Sequence, residues 1–398
     1  MAKQMTSEAS PSDETKALMR GLLREMRKRR GEMLRLLGEF VRCESPSYTK
    51  QAVDRFARMV ASEFKKRGAR VELLKQKERG DHVRAEVWLG KGRPAGQIMV
   101  LGHTDTVYPL GTIAKSPYMI AEGKAWGPAT FDMKGGIVMA LAAVDVLQAL
   151  RIDVRKRLVF LWTSDEEIGS KASRSIIEQE ARRSDAVLVL EPSYGREGKL
   201  KTRRKGVGGA EIVVTGRSAH AGIDPENGRN AVHEIALQIA RVMKMNRPRR
   251  GIAVQATVVS GGTVANVVPE QARAEIDLRF ARLADTRIVE RKLRALKPIT
   301  KGTRVRVVLG GVRPPLERTA NVQALFRHAQ SLMQAVNLPL GEAATGGGSD
   351  GNFTAALGVP TLDGLGAVGD GAHSPREHIL IREIPARAAL IAGLLATL

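Results

Sequence analysis

Cysteine is nearly absent. Cys43 is the only one among 398 residues, so no disulfide framework holds this chain. Long apolar runs are missing as well. No stretch of about 18 apolar residues occurs, so a membrane-spanning helix is not expected. The first residues, Met1-Ala2-Lys3-Gln4-Met5-Thr6-Ser7-Glu8, lack the apolar centre of a signal peptide. A cytoplasmic protein without a membrane partner is the expectation. Aromatic residues make up only 4%. They do not interleave with the short basic clusters Arg27-Lys28-Arg29-Arg30, Arg203-Arg204-Lys205 and Arg247 to Arg250, which argues against a stacking platform for single-stranded nucleic acid. No nucleic-acid partner is expected, and the formal net charge of +22 reads as a solvated basic surface with some attraction for anionic substrates.

What the chain does have is size, and apolar strands that end in chemistry. Single cores seldom grow past roughly 250–300 residues, so 398 residues imply about two domains. The run Ile98-Met99-Val100-Leu101 carries no polar alternation and reads as a strand buried on both faces. It ends in Gly102-His103-Thr104-Asp105. Open α/β sheets place ligands at the carboxyl ends of their strands, and Asp105 is spaced to orient the second ring nitrogen of His103.

Residues 1–14 are small and polar and are expected to be disordered. Thr15 to Val41 reads as a helix in two parts hinged near Gly31, and Gln51 to Arg67 as a helix stopped by Gly68. Strands at about 70–76, 83–89 and 97–102, with later strand–helix alternation, imply a mixed α/β sheet. Gly127-Pro128-Ala129-Thr130-Phe131-Asp132-Met133-Lys134-Gly135-Gly136 then leads into an amphipathic helix through Ile137, Leu141, Val144 and Leu147. Asp132 either caps that helix or faces a metal.

A strand over 157–163 ends in Ser164-Asp165-Glu166-Glu167-Ile168-Gly169. Three adjacent acids there repel one another unless the loop is solvated or holds a cation. Ala186 to Leu190 is again apolar and ends on Glu191-Pro192, and Gly371-Ala372-His373-Ser374-Pro375 lies near the far end. Two histidines and three carboxylates at one sheet edge make a ligand set for two divalent cations of the zinc type, with one acid left over as a base.

The order HTDTV, GPATFDMKGG, TSDEEIGS, LEP, GRSAHAG and GAHSP resembles the M20 metallopeptidases. Gly346-Gly347-Gly348-Ser349-Asp350-Gly351-Asn352 and Gly261-Gly262-Thr263-Val264-Ala265-Asn266-Val267-Val268-Pro269 look most like the glutamate carboxypeptidase branch. A phosphate loop at 346–351 is the rival reading, but no lysine follows. The resemblance implies an α/β, zinc-peptidase-like mixed sheet flanked by helices. That domain would occupy 15–207 and 313–398, interrupted at 208–312 by a ferredoxin-like α+β domain for dimerisation or as a lid. The inserted segment itself reads strand (210–216), helix (229–243), strand (252–259), strand (271–280), helix (284–297), strand (303–309), a βαββαβ order.

The resemblance also implies roles. His103, Asp132 and Glu191 would hold one zinc and Asp132, Glu167 and His373 the other, with Co2+ or Mn2+ as substitutes. Asp105 would hydrogen-bond His103, and Glu166 would act as the base. His220 would stabilise the oxyanion, often from the neighbouring subunit of a homodimer. Ser218, His220 and Asp224 are too close in sequence to form a serine triad. Arg279 and Asn266 would meet a substrate carboxylate, for which a planar guanidinium is suited. The implied activity is that of a dinuclear zinc amidohydrolase, a carboxypeptidase releasing a C-terminal amino acid of the glutamate type from small peptide or N-acyl amino acid substrates. The alternatives are an N-acyl amino acid deacylase of the acetylornithine or succinyl-diaminopimelate type and, more remotely, a non-catalytic binding protein.

Overall fold

The computed structural model describes residues 11–398, and the chain divides into two compact units. The first extends to Thr202 and resumes as Arg318–Ala344 and Ser349–Leu398, while the second comprises Arg203–Glu317 and Thr345–Gly348. Among the described residues no helix is long and apolar enough to cross a membrane.

In the first unit six strands form one sheet in the order Arg70–Leu74, His82–Val87, Arg157–Thr163, Gln97–His103, Ala186–Val189, Thr361–Leu362. Gln97–His103 runs parallel to both its neighbours. The unbroken apolar run of this strand follows from burial on two faces. Ile98 and Val100 join Leu158, Phe160 and Leu188 in one core, and Met99 and Leu101 join Leu161, Val187 and Val189 in another. Each such side chain contributes roughly 1.5–3 kcal/mol relative to exposure. The register sets His103 opposite Thr163, so the residues that follow both strands emerge at one edge of the sheet.

Residues 1–10 of the stretch expected to be disordered lie outside the described residues. Asp13 and Glu14 are helical rather than disordered. Ser12 Oγ accepts from Thr15 N at 3.2 Å, and the two acids lie in the first turn, where the helix dipole favours them. The break before helix Arg30–Arg42 falls at Arg29 instead of Gly31. Helix Lys50–Lys66 ends as expected at Gly68, whose φ of +77° allows Gly68 N to reach Lys65 O and Ala69 N to reach Phe64 O. Gly135–Ala149 is not amphipathic but buried at nearly every position. It packs on helices Asp13–Lys28, Arg30–Arg42 and Ile384–Thr397 as well as sharing the sheet's core, and such a helix is apolar all round.

Between the first two strands, the buried Asp81 accepts from Lys75 Nζ at 2.7 Å, Lys50 Nζ at 3.1 Å and Gln76 N at 3.1 Å. Burial pushes its carboxyl up, but Lys75, the Gln76 amide and Lys50 outweigh this and hold it at about 2. Because the folded value lies below the unfolded one, the stabilisation is present above pH ~4 and is lost as pH falls through about 2. Asp81→Asn is expected to cost roughly 1–3 kcal/mol near pH 7. The difference in urea midpoint between the two proteins should narrow as the pH approaches 3, and a gap independent of pH would refute the assignment.

The second unit runs strand Gly206–Thr215, helix Ala231–Met243, strands Ala253–Gly261 and Gln271–Phe280, helix Leu283–Arg294 and strand Arg304–Leu309. Its antiparallel sheet is ordered Ala253–Gly261, Gln271–Phe280, Gly206–Thr215, Arg304–Leu309. Alternate residues Ala210, Ile212, Val214, Ala274 and Ile276 meet Ile235, Val242, Val289 and Leu293 of the two helices. The unit is wider than 208–312 because its entering and leaving chains pair, Arg204 with Leu316 and Val207 with Arg313. One member of each of two basic clusters pairs within this unit. Arg204, 3% exposed, donates to the carbonyls of Gly347 and Gly348, and Arg250 pairs with Asp285.

Candidate metal centre

Five ligand-type side chains converge in the first unit, each carried by a segment that leaves the sheet or a neighbouring turn. His103 ends its strand, Glu167 follows Arg157–Thr163 in the short helix Glu166–Ile168, and Glu191 follows Ala186–Val189. Asp132 comes from the kinked turn ahead of helix Gly135–Ala149, and His373 from the loop before strand His378–Leu380. The turn meets the strand end closely. A Cβ on Gly136 would stand 2.5 Å from the Leu190 carbonyl oxygen, so only glycine fits there.

Asp132 lies at the middle. Its Oδ1 is 3.2 Å from His103 Nε2, and its Oδ2 is 3.4 Å from His373 Nε2. Glu191 Oε1 lies 3.5 Å from His103 Nε2, and Glu167 Oε1 lies 3.2 Å from His373 Nε2. Two groups able to hold a metal ion result, His103–Asp132–Glu191 and Asp132–Glu167–His373, sharing Asp132. The capping alternative for Asp132 is not realised, since the helix it precedes has no side-chain cap.

The electrostatics ask for positive charge at this place. Burial pushes Asp132 up, but the two imidazoles outweigh it and hold the carboxyl far below the usual range. Asp132 and Glu167 lift His373 to about 10 against burial. Burial would lower His103, but Asp105, Asp132 and Glu191 raise it well above its ordinary value. His103 Nδ1 lies 2.9 Å from the Asp105 main-chain carbonyl, which can only accept, so the ring hydrogen belongs on Nδ1. The Nε2 lone pair then faces two carboxylates. That arrangement is repulsive unless a proton or a cation lies between them, and the oxygen and imidazole donors suit a zinc-type ion.

Asp105 meets His103 and more besides. Its carboxylate is 3.5 Å from His103 Nδ1, beyond the main-chain contact. In addition Oδ1 accepts from Glu166 N at 3.2 Å, and Oδ2 accepts from Glu167 N at 3.2 Å and Ser47 Oγ at 2.7 Å. A short acidic side chain after the histidine thus fastens the loop that bears both glutamates, while its carbonyl orients the ring.

His220, Asn266 and Arg279 lie in the second unit. His220 N donates to Asp224 Oδ1 at 3.0 Å, and Nδ1 accepts from Gly222 N and Ile223 N, each at 3.1 Å. Two donors on Nδ1 leave the hydrogen of a neutral ring on Nε2, so the exposed imidazole offers a donor. Asn266 is brought beside it by the His220–Val267 bridge and the Ala221 N to Asn266 O bond of 2.9 Å. The Arg279 fork does not stand open. It holds Asp277 through Nε and Nη2 at 3.0 Å each, because residues two apart on a strand share a face.

Several residues of the centre's surroundings escaped the sequence reading. Lys134, 2% exposed, donates to the carbonyls of Phe40 and Cys43 at 2.9 and 2.8 Å. Burial lowers it to about 8. Asp350 accepts from Thr163 Oγ1 at 2.9 Å and from Ser170 Oγ, which ties the 349–352 segment to both ends of the glutamate loop. Glu377, four residues after His373, carries no sequence signal of its own. Its carboxylate meets the turn that bears Asp132.

The chain resembles known proteins in sequence and in fold. The model of peptidase family M20/M25/M40 matches residues 99–397. Carboxypeptidase G2 of Pseudomonas sp. (strain RS-16) is 31% identical over 323 residues, 80% of this chain and 77% of that protein. Succinyl-diaminopimelate desuccinylase of Dechloromonas aromatica is 28% identical over 331 residues, 78% and 86% of the two chains. Among solved structures, the YXEP protein of Bacillus subtilis, a dinuclear metal binding peptidase, superposes with a TM-score of 0.70 at 14% identity, covering 93% of this chain and 98% of that one.

Proposed function

Because the chain belongs to peptidase family M20/M25/M40 and is a hydrolase of the metallopeptidase type, we propose that it is a dinuclear carboxypeptidase. It would release a C-terminal amino acid of the glutamate type from small peptide or N-acyl amino acid substrates. The observation that carries this reading is Asp132, whose two carboxylate oxygens each face a different histidine–glutamate pair. His103 and Glu191 would complete one ion's ligand set and Glu167 and His373 the other's, zinc being the first choice. The desuccinylase relatives support an N-acyl amino acid deacylase as the second reading, since it breaks the same kind of bond.

When bound, two divalent cations supply Lewis acidity toward an amide oxygen and make water a stronger acid. The chain's own residues supply the proton traffic and the positioning. Glu166 takes the proton of the attacking water and returns it to the leaving amine. Asp105 keeps Glu166 and Glu167 in fixed directions by accepting both their amides. His220, proposed to act from the second subunit of a homodimer, donates through Nε2 to the oxygen that gains charge. Asn266 and Arg279 would take the substrate's carboxylate, for which Arg279 must exchange Asp277.

Elemental analysis after loading with zinc is expected to read about two ions per chain. A panel of peptidyl and N-acyl amino acids scored by kcat/KM should rank C-terminal glutamate peptides first. Absence of bound divalent ions after loading would overturn the metal reading. A preference for N-succinyl or N-acetyl amines would replace the carboxypeptidase by the deacylase.

A further inference from the structure

We infer that Glu377 is a positioning residue for the metal centre, its buried carboxylate setting the backbone from which Asp132 points. The inference rests on the metal-binding reading above. Glu377 is 1% exposed and belongs to neither ligand group. Its Oε1 accepts from Phe131 N and Asp132 N, both at 2.8 Å, and its Oε2 accepts from Ala129 N at 3.1 Å and from the Tyr108 hydroxyl. Three amides of one turn converging on an anion form a nest, here filled by the chain's own side chain.

That turn is irregular, and its other hydrogen bonds, Thr130 N to Gly127 O and Lys134 N to Ala129 O, leave the amides of Ala129, Phe131 and Asp132 to Glu377. Ala129 adopts φ +60°, and Asp132 and Met133 have non-helical dihedrals inside a segment between two helical stretches. A carboxylate has the acceptor capacity that such a turn requires, and no neutral side chain does. Glutamine would present an NH2 to amides that can only donate.

Glu377 also joins segments. It stands in the same loop as His373, and Glu377 N donates to Ser374 O at 3.1 Å. The Tyr108 hydroxyl comes from the stretch that follows His103 and Asp105, and it lies 3.1 Å from Ser374 O as well. One buried acid therefore links the stretches that carry His103, Asp132 and His373. Residues that orient metal ligands from outside the coordination shell are typically worth 10–100-fold in metal affinity.

The test uses the full-length protein. Glu377→Gln is expected to weaken zinc affinity, measured by competition with a chromophoric chelator, by about 10–100-fold. The visible absorption of the cobalt-loaded variant should also change in position and intensity. A purely structural role would lower the melting temperature of the metal-free protein and leave affinity and cobalt bands as they are in the folded fraction, and that result would overturn the inference. Tyr108→Phe removes one donor to the Glu377 carboxylate and keeps its three amide donors, so it decides the matter if Glu377→Gln does not fold. A shifted cobalt spectrum in Tyr108→Phe supports the inference, and a spectrum identical to that of the unmodified protein sinks it. The outcome is separable from that of the metal reading, because failure of the latter would appear as absent binding in the unmodified protein.

Discussion

Glu166→Gln is expected to keep the bound metal and lose roughly 10²–10⁴-fold in kcat, the usual worth of a positioned general base. Glutamine matches glutamate in shape but cannot take a proton from water. The loop should survive the change, because its position is held by main-chain donors. Glu166 N and Glu167 N both bond Asp105, and Gly169 N bonds Glu166 O at 3.0 Å. Glu167→Gln should behave in the opposite sense. Its Oε1 is buried with His373 Nε2 3.2 Å away and no well-aligned hydrogen bond, so loss of that charge should lower metal content before it lowers turnover per bound metal. Adjacent residues on a one-turn helix point in different directions, which is why neighbours can divide these tasks. Metal analysis and steady-state rates on the same samples separate them. A near-normal kcat in Glu166→Gln would assign the proton transfer to another group.

The convergence of His103, Asp132, Glu167, Glu191 and His373 was legible because the signals are local. An apolar run without alternation marks a strand covered on both faces, and parallel strands expose their ends at one edge. Ile98 to Leu101 shows the reasoning directly, with odd and even residues entering separate cores. What was not legible depends on contacts distant in sequence. The Asp105 carboxylate lies 3.5 Å from His103, its near neighbour, but it also accepts from amides 61 and 62 residues away, which no local pattern announces. Periodicity gave one apolar face to Gly135–Ala149, because no local signal announces that helices from both ends of the chain cover the rest. Glu377 has no pattern around it at all. Its meaning appears only when residues 129–132, some 245 positions earlier, are folded onto it.

The charge excess is similarly redistributed by the fold. Arg67 holds Glu63 and Asp145, Arg84 holds Glu180, and Arg387, fully buried, donates to the carbonyls of Gly366, Gly198 and Gly364. Burial lowers Arg387 to about 10. Such arginines serve as fixed forks for internal acceptors, and they do not form a continuous basic stripe in the sequence.

His220→Ala is expected to lower kcat by on the order of 10²–10³ and to change KM little, since a donor aimed at the developing oxyanion acts mainly in the transition state. The geometry of this loop supports a donor: Gly222 N and Ile223 N both point at Nδ1, which leaves Nε2 to carry the hydrogen. Arg279→Ala should differ. A carboxylate contact is made in ground and transition states alike, so its loss should appear chiefly in KM and disappear for substrates lacking that carboxylate. Because Arg279 is already paired with Asp277, Asp277→Asn should lower KM for the same substrates by freeing the fork. Whether His220 serves its own chain or a second one is read by mixing. Inactive His220→Ala chains combined with inactive Glu166→Gln chains should regain part of the activity if each site borrows its histidine, since a mixed dimer then holds one site with both groups intact. Subunit exchange proven by differently tagged chains, without recovery of turnover, would place His220 in its own chain's site or outside catalysis.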